Sequence, residues 1–167
     1  MSGAYLGPAF SQTEIERRLT EAGARFQVLS DNETVAETAR ALADGAAVGW
    51  FQGRMEFGPR ALGGRSILGD PRPPEMQRKL NLKVKYRESF RPFAPSILAD
   101  KVSDWFEGGR RSPYMLVVDW LRDDRRRQPD PAADGLSGID LLNVARSDIP
   151  AVTHLDYSAR LHTAEAA

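Results

Sequence analysis

Two stretches of this sequence set guanidinium groups among glycines and prolines, a combination of residue types suited to holding an oxyanion. The first is Gly53-Arg54-Met55-Glu56-Phe57-Gly58-Pro59-Arg60-Ala61-Leu62-Gly63-Gly64-Arg65-Ser66-Ile67-Leu68, followed by Asp70-Pro71-Arg72. Arginine offers a planar, permanently charged fork that meets phosphate or carboxylate through two parallel bonds. Neighbouring glycines let backbone N–H groups approach the same anion. Pro59 suits the first position of a short helix over Arg60-Ala61-Leu62, whose start would add a favourable dipole. Glu56, between Arg54 and Arg60, could orient a guanidinium, hold magnesium, or form a structural Arg–Glu pair. Gly58 and Gly63 have the spacing of a P-loop. Gly64-Arg65-Ser66 then inserts a residue and places arginine where Lys-Ser/Thr belongs, which excludes that motif.

The second stretch is Asn81-Leu82-Lys83-Val84-Lys85-Tyr86-Arg87-Glu88-Ser89-Phe90-Arg91-Pro92-Phe93-Ala94-Pro95. In extended chain Lys83, Lys85 and Arg87 share one face, which suits a polyphosphate; an edge strand guarding against aggregation would carry lysines in the same way. Farther on, His154-Leu155-Asp156 on a strand would turn both polar side chains to one side. They could position a ligand, share a magnesium site, or hydrogen-bond to each other for structure alone. Charge follows the same division. Residues 1–53 carry four basic and seven acidic side chains, whereas residues 54–91 carry ten basic and four acidic ones. That local excess points to an anionic partner within a chain of zero net charge.

The elements that must position these groups alternate in type. Ser11-Gln12-Thr13-Glu14 fits a capping box, with Ile15, Leu19 and Ala22 at helical spacing and Gly23 as the stop. Residues 25–29 alternate as a short strand. Ser30 or Asp31 caps a second helix, with Val35, Ala36, Ala39, Leu42 and Ala43 on one face and Gly45 closing it. Residues 46–51 read as a buried strand, Ser66-Ile67-Leu68 as a brief one, and Pro73-Pro74-Glu75 opens a helix to about Leu82. A short helix over 100–106 and strands at 114–118 and 149–154 complete the pattern. This order predicts an α/β domain. We expect a linker over residues 1–10, the domain over 11–163 and a tail over 164–167. The stretch 122–138 reads as a flexible loop, in which Arg125-Arg126-Arg127 is solvated or, alternatively, binds phosphate.

Composition narrows the chemistry further. The 167 residues include no cysteine and two histidines, which excludes disulfides, thiolate catalysis and Cys-ligated metal centres. No apolar run approaches the ~20 residues of a membrane span, and the first residues lack a signal peptide's regions. A cytoplasmic protein with no membrane partner is expected.

Taken together, GRMEFGPRALGGRSIL, DPR, NLKVKYRESFRPFAPSIL and SDIPAVTHLDYSAR resemble the C-terminal, YrdC-like domain of the O-carbamoyltransferases of antibiotic biosynthesis and nodulation factor modification. The resemblance runs from about Tyr5 to Arg160 and is densest between Trp50 and Leu98. It implies a twisted mixed sheet with flanking helices that binds carbamoyl phosphate and ATP with Mg2+. Carbamate would attack the α-phosphorus of ATP, release pyrophosphate and leave carbamoyl adenylate, which a separate N-terminal-type domain transfers to a hydroxyl acceptor. Such domains use a Lys-x-Arg element for phosphates, matched by Lys85-Tyr86-Arg87. The substrate-binding candidates are Arg54, Glu56, Arg60, Arg65, Lys85, Arg87, Arg91 and, through Ser158-Ala159-Arg160, Arg160; His154, Asp156 and Ser158 are further possibilities. Two polyanions brought together need fixed positive charge, since unit charges ~4 Å apart interact by about 4 kcal/mol at an effective dielectric near 20. The family's Ser-x-Asn element has no match after Thr163. That leaves the expected nucleotide site incomplete; and because the sequence starts about where the family's N-terminal transferase domain would end, the expectation is a chain that pairs with a separately encoded transferase domain. The alternatives are a non-catalytic anion-binding remnant or scaffold, or an RNA-binding module, with nucleic acid disfavoured because Phe57, Tyr86, Phe90 and Phe93 fit buried positions equally well.

Overall fold

Ser11 and Ser30 start the first two helices as N-caps, each giving its hydroxyl oxygen to the amide three residues on. The computed structural model describes residues 3–128 and 135–165. Helix α1 spans Gln12–Glu21 and α2 spans Asp31–Ala43. The reciprocal box is complete only at Ser30, where the Glu33 carboxylate accepts from the Ser30 amide at 2.8 Å. At α1 the corresponding Glu14 instead accepts from Arg18 one turn later. Gly23 and Gly45 follow the two helices at positive φ, as helix stops require.

The chain separates into two compact units, Met1–Leu68 and Gly69–Ala167. In the first unit, β1 (Val48–Phe51) pairs antiparallel with β2 (Arg65–Leu68), Val48 opposite Leu68 and Phe51 opposite Arg65. The intervening residues form the arginine- and glycine-rich loop. Residues 4–8, expected as a linker, run alongside it: Gly7 and Phe57 donate to Met55 and Ala4, and Met55 donates to Pro8. The strand expected over 25–29 does not form. Phe26, Val28 and Leu29 are exposed and no strand pairs with them, so alternation alone had no partner to stabilise it.

The second unit holds the larger core. Val102, Phe106, Leu121, Ala159 and Leu161 are buried together, with Ile97, Trp105, Ile149 and Tyr157 against them. Burying side chains of this size contributes about 1.5–3 kcal/mol each. A second cluster joins Met76 and Leu80 of α3 (Met76–Lys83) to Ala151, with Val84 and Phe93 packed on it. Strand β3 (Ser96–Leu98) pairs in parallel with β6 (His162–Ala164), and β4 (Val118–Trp120) pairs antiparallel with β5 (Ser158–Arg160). Helix α4 is the short Val102–Trp105. The chain is thus mixed α/β, and its named strands form three two-stranded sheets.

Four local expectations are corrected here. The strand placed at 114–118 begins only at Val118, because Met115 has φ +56° and the Ser112 hydroxyl takes the amides of Leu116 and Val117. The strand placed at 149–154 is a 3-10 turn over Pro150–Val152; Pro150 lacks a ladder donor, and Thr153 donates its hydroxyl back to Ile149. Part of the 122–138 stretch is built. Arg126 is paired with Glu107 and Asp123, Arg127 with Asp148, and Arg125 lies over the Trp105 ring, so the run makes structural contacts although Arg127 stays exposed. Residues 129–134 of the expected loop lie outside the described residues. In the expected tail, Ala164 belongs to β6 and Glu165 pairs with Arg111, while 166–167 lie outside the described residues.

Candidate functional site

The sequence candidates fall into both units. Arg54, Glu56, Arg60 and Arg65 belong to the first, and Lys85, Arg87, Arg91, His154, Asp156, Ser158 and Arg160 to the second.

In the first unit Glu56 organises the loop. It is only 3% exposed, and its Oε1 accepts the amides of Leu62 at 2.8 Å and Gly64 at 2.5 Å. Its Oε2 lies 3.4 Å from Arg65 Nε, and Arg65 also donates to the Gly58 carbonyl at 2.6 Å. Of the roles named for Glu56 in the sequence, the backbone clamp and the Arg65 ion pair are seen, both amides on Oε1, while Oε2 has no hydrogen-bond partner among the described residues. Residues 58–60 are bends and 61–62 irregular rather than the expected helix, so no helix dipole is available there. The clamp does the positioning instead, because a carboxylate taking two N–H bonds fixes the backbone between them. Arg54 and Arg60 are exposed and have no acidic partner among the described residues. Gly64 must be glycine: a Cβ there would stand 2.8 Å from the Tyr5 ring and 3.2 Å from Glu56. The Tyr5 hydroxyl donates to the Leu62 carbonyl at 2.8 Å. Burial, and secondarily the Glu56 carboxylate, push its pKa above the ordinary tyrosine value, so the hydroxyl stays a donor.

In the second unit the basic segment is not the extended ribbon that its alternation implied. Lys83 is the last residue of α3, and Tyr86 takes φ +49°, so Lys83, Lys85 and Arg87 do not share a strand face. Asn81, fully buried, pins the segment by donating to the carbonyls of Ser89 and Arg91 and accepting from Arg87 Nε at 2.6 Å. Gln77 makes a second pair of bonds to the Phe90 and Arg91 carbonyls. Arg87 stacks on Phe93 at 4.9 Å and Arg91 pairs with Glu88, while Lys85 is exposed and has no acidic partner among the described residues.

A cavity of about 290 Å³ lies beside this segment, walled by Phe90, Pro92, Leu142, Val152 and Leu155, with polar groups from Gln77, Thr153, His154 and Asp156. Residues 154–158 make a tight turn in which His154 donates to the Ser158 carbonyl and Tyr157 holds φ +63°. The Ser158 amide donates to Asp156 Oδ1 at 3.0 Å, and the Ser158 hydroxyl, seconded by this amide, holds the Asp156 carboxyl below its usual pKa. His154 Nε2 is buried without a hydrogen-bond partner among the described residues. Ser158 is buried and Arg160 half-buried in β5, opposite Val118. The structure thus gathers the segment after α3 and the 154–158 turn around one cavity.

Among the described residues no three metal-ligating side chains cluster. Magnesium bound with a nucleotide takes most of its shell from phosphate and water, so one carboxylate suffices. Asp156, exposed at the cavity, fits that role. Tyr5, Gln77 and Asn81 escaped the sequence reading. The only signal for Asn81 was its position opening the basic segment, and nothing marked Tyr5.

Comparison with known proteins bears on this geometry. Residues 39–167 match the family model described as carbamoyltransferase C-terminus. The chain is 54% identical over 165 residues to the uncharacterized protein sll1178 of Synechocystis, covering 98% of this chain and 27% of that protein. It is 39% identical to nodulation protein NolNO of Sinorhizobium fredii, over 95% of this chain and 21% of the relative. It is 40% identical to nodulation protein NolO of Bradyrhizobium diazoefficiens, over 95% and 26%. The chain therefore spans about a quarter of the length of these relatives. By the family match, and by the arginine loop and basic segment that carry it, this chain belongs to the carbamoyltransferase C-terminal family.

Proposed function

We propose that this chain supplies the carbamoyl phosphate and ATP binding part of an O-carbamoyltransferase. The observation that carries this reading is the Glu56 clamp: one oxygen of a buried carboxylate holds a glycine-rich loop whose Arg54 and Arg60 are exposed and, among the described residues, without acidic partners. Preorganised cations of this kind stabilise bound phosphate without reorganising when it arrives. Lys85 and the anchored Arg87 add cations in the second unit, and the neighbouring cavity, with no cation in its lining, suits the uncharged part of a nucleotide. When bound, Mg2+ would offset the charge of the ATP phosphates; Asp156 is the carboxylate placed to hold it.

In the reaction this supports, water hydrolyses carbamoyl phosphate to carbamate and inorganic phosphate; a carbamate oxygen then attacks the α-phosphorus of ATP and pyrophosphate leaves, giving carbamoyl adenylate. The chain's contribution is positioning and charge neutralisation rather than nucleophilic catalysis. Transfer to an alcohol would fall to a partner domain. In keeping with a partner, α1 and α2 bury no side chain fully, and Val28, Val35, Phe51 and Phe57 stand 58–75% exposed in the first unit.

Calorimetric titration with carbamoyl phosphate, with and without Mg-ATP and against inorganic phosphate, tests the reading. Saturable binding tighter than phosphate supports it. No binding by the folded chain would leave a remnant or scaffold.

A further inference from the structure

From the packing of the first unit we infer that Tyr5 is a positioning residue of the anion-binding loop, and that residues 4–8 are the brace that carries it. This rests on the reading of that loop as a phosphate site. The brace is bonded to the loop's start by three backbone bonds: Gly7 to Met55, Met55 to Pro8 and Phe57 to Ala4. The approach is close enough that a side chain at Gly7 would meet the Met55 carbonyl at 2.8 Å. Tyr5 then reaches from the brace to the loop's far end. Its hydroxyl donates to the Leu62 carbonyl, and its ring lies on Gly64.

The result is a two-sided hold on one short segment. Glu56 takes the N–H groups of Leu62 and Gly64, and Tyr5 gives a donor to the Leu62 carbonyl. The peptide groups on both sides of Leu62 are therefore fixed, one by a carboxylate and the other by a phenol. Arg60 lies two residues before this point and Arg65 three after it, so the direction in which both side chains leave the backbone depends on it. Glu56 bonds only the amides of Leu62 and Gly64; the peptide between Leu62 and Gly63 is held on its N–H side by Ser66 Oγ at 3.1 Å and on its carbonyl side by Tyr5. The phenol thus supplies the second hold on that peptide, and the fit of its ring against a residue without Cβ sets the depth.

Tyr5→Phe tests this directly, because it keeps the ring on Gly64 and removes only the hydroxyl. Carbamoyl phosphate and inorganic phosphate would be titrated into the full chain, its Tyr5→Phe and Arg60→Ala variants and the double variant, alongside urea unfolding of each. The expected result is a Kd raised about three- to tenfold by Tyr5→Phe, with a little-changed unfolding midpoint. In the Arg60→Ala background the same substitution should have much less effect, because a residue acting through the arginine has nothing left to position. A purely structural tyrosine would lower the midpoint and give independent, additive losses. Unchanged affinity in Tyr5→Phe, or full additivity with Arg60→Ala, overturns the inference while the phosphate site stands. Failure of the unsubstituted chain to bind either anion overturns the reading beneath it, and the positioning role with it.

Discussion

Replacing Glu56 with alanine should release the arginine loop, and the size of the effect follows from its contacts. The side chain is fully buried and receives two backbone N–H bonds, while Arg65, one-third exposed, lies beside it. Hydrogen bonds to a charged group are worth about 1.5–3 kcal/mol each. Losing both while leaving two amides without acceptors sets an upper range near 3–6 kcal/mol. Arg65 recovers water on its exposed side, so we expect about 3–4 kcal/mol, within the range for breaking a buried pair from one side. Glu56→Gln keeps one acceptor oxygen but loses the charge, and should cost about half as much. Hydrogen exchange on peptides spanning 57–66 reads this locally. At 1.4 kcal/mol per decade, the Leu62 and Gly64 amides should exchange on the order of 100-fold faster in Glu56→Ala. Carbamoyl phosphate affinity should fall in the same order, alanine below glutamine below the unsubstituted chain. If Leu62 and Gly64 stay equally protected in Glu56→Ala, the clamp does not hold the loop, and the argument for a preorganised site fails.

Other outcomes follow from the same geometry. Arg60→Ala should weaken carbamoyl phosphate binding by about 1.5–3 kcal/mol by calorimetry, with the unfolding midpoint unchanged because the side chain is exposed. Asn81→Ala removes the anchor of residues 87–91 and should both destabilise the second unit, by about 1–3 kcal/mol in urea, and weaken Mg-ATP binding. Phe106→Ala, at the centre of the larger core, should cost about 3–5 kcal/mol in the same assay. The Asp156 carboxyl is held below its usual pKa by Ser158, so the unfolded chain binds the proton more readily. Its stabilisation is complete above about pH 4 and disappears as pH falls through the lower folded value. Asp156→Ala should flatten that acid limb in a pH series of unfolding midpoints, and should weaken Mg-ATP binding more than magnesium-free ATP.

Local signals in the sequence were reliable where they were self-contained. The serine caps of α1 and α2, the glycines that end them and the two strands flanking the arginine loop could all be read from adjacent residues. The α/β class followed from their order. What could not be read depended on distant partners or on single backbone angles. Residues 25–29 alternate correctly but find no strand to pair with. Tyr86 and Met115, at positive φ, break two extended runs that their side chains favour. Glu56 was visible as a candidate, yet its hold on the backbone came into view only with the amides of Leu62 and Gly64, both arriving at its Oε1. Tyr5 lies 57 positions from the carbonyl it bonds, beyond the reach of any spacing rule.

The parallel pairing of β3 with β6 also bears on how fast the second unit forms. Ser96 and His162 are 66 positions apart, whereas Phe51 and Arg65, which close the arginine loop, are 14 apart. Loop closure scales as (3/2)RT ln n, so bringing Ser96 to His162 costs about 1.4 kcal/mol more entropy than closing the hairpin, a factor of about ten in encounter frequency. Contacts of long sequence separation slow folding for this reason. In refolding, the β1–β2 hairpin should therefore close ahead of the β3–β6 ladder, leaving the edge of Ser96–Leu98 open for a time. That interval is when the chain is most exposed to pairing with another copy of itself.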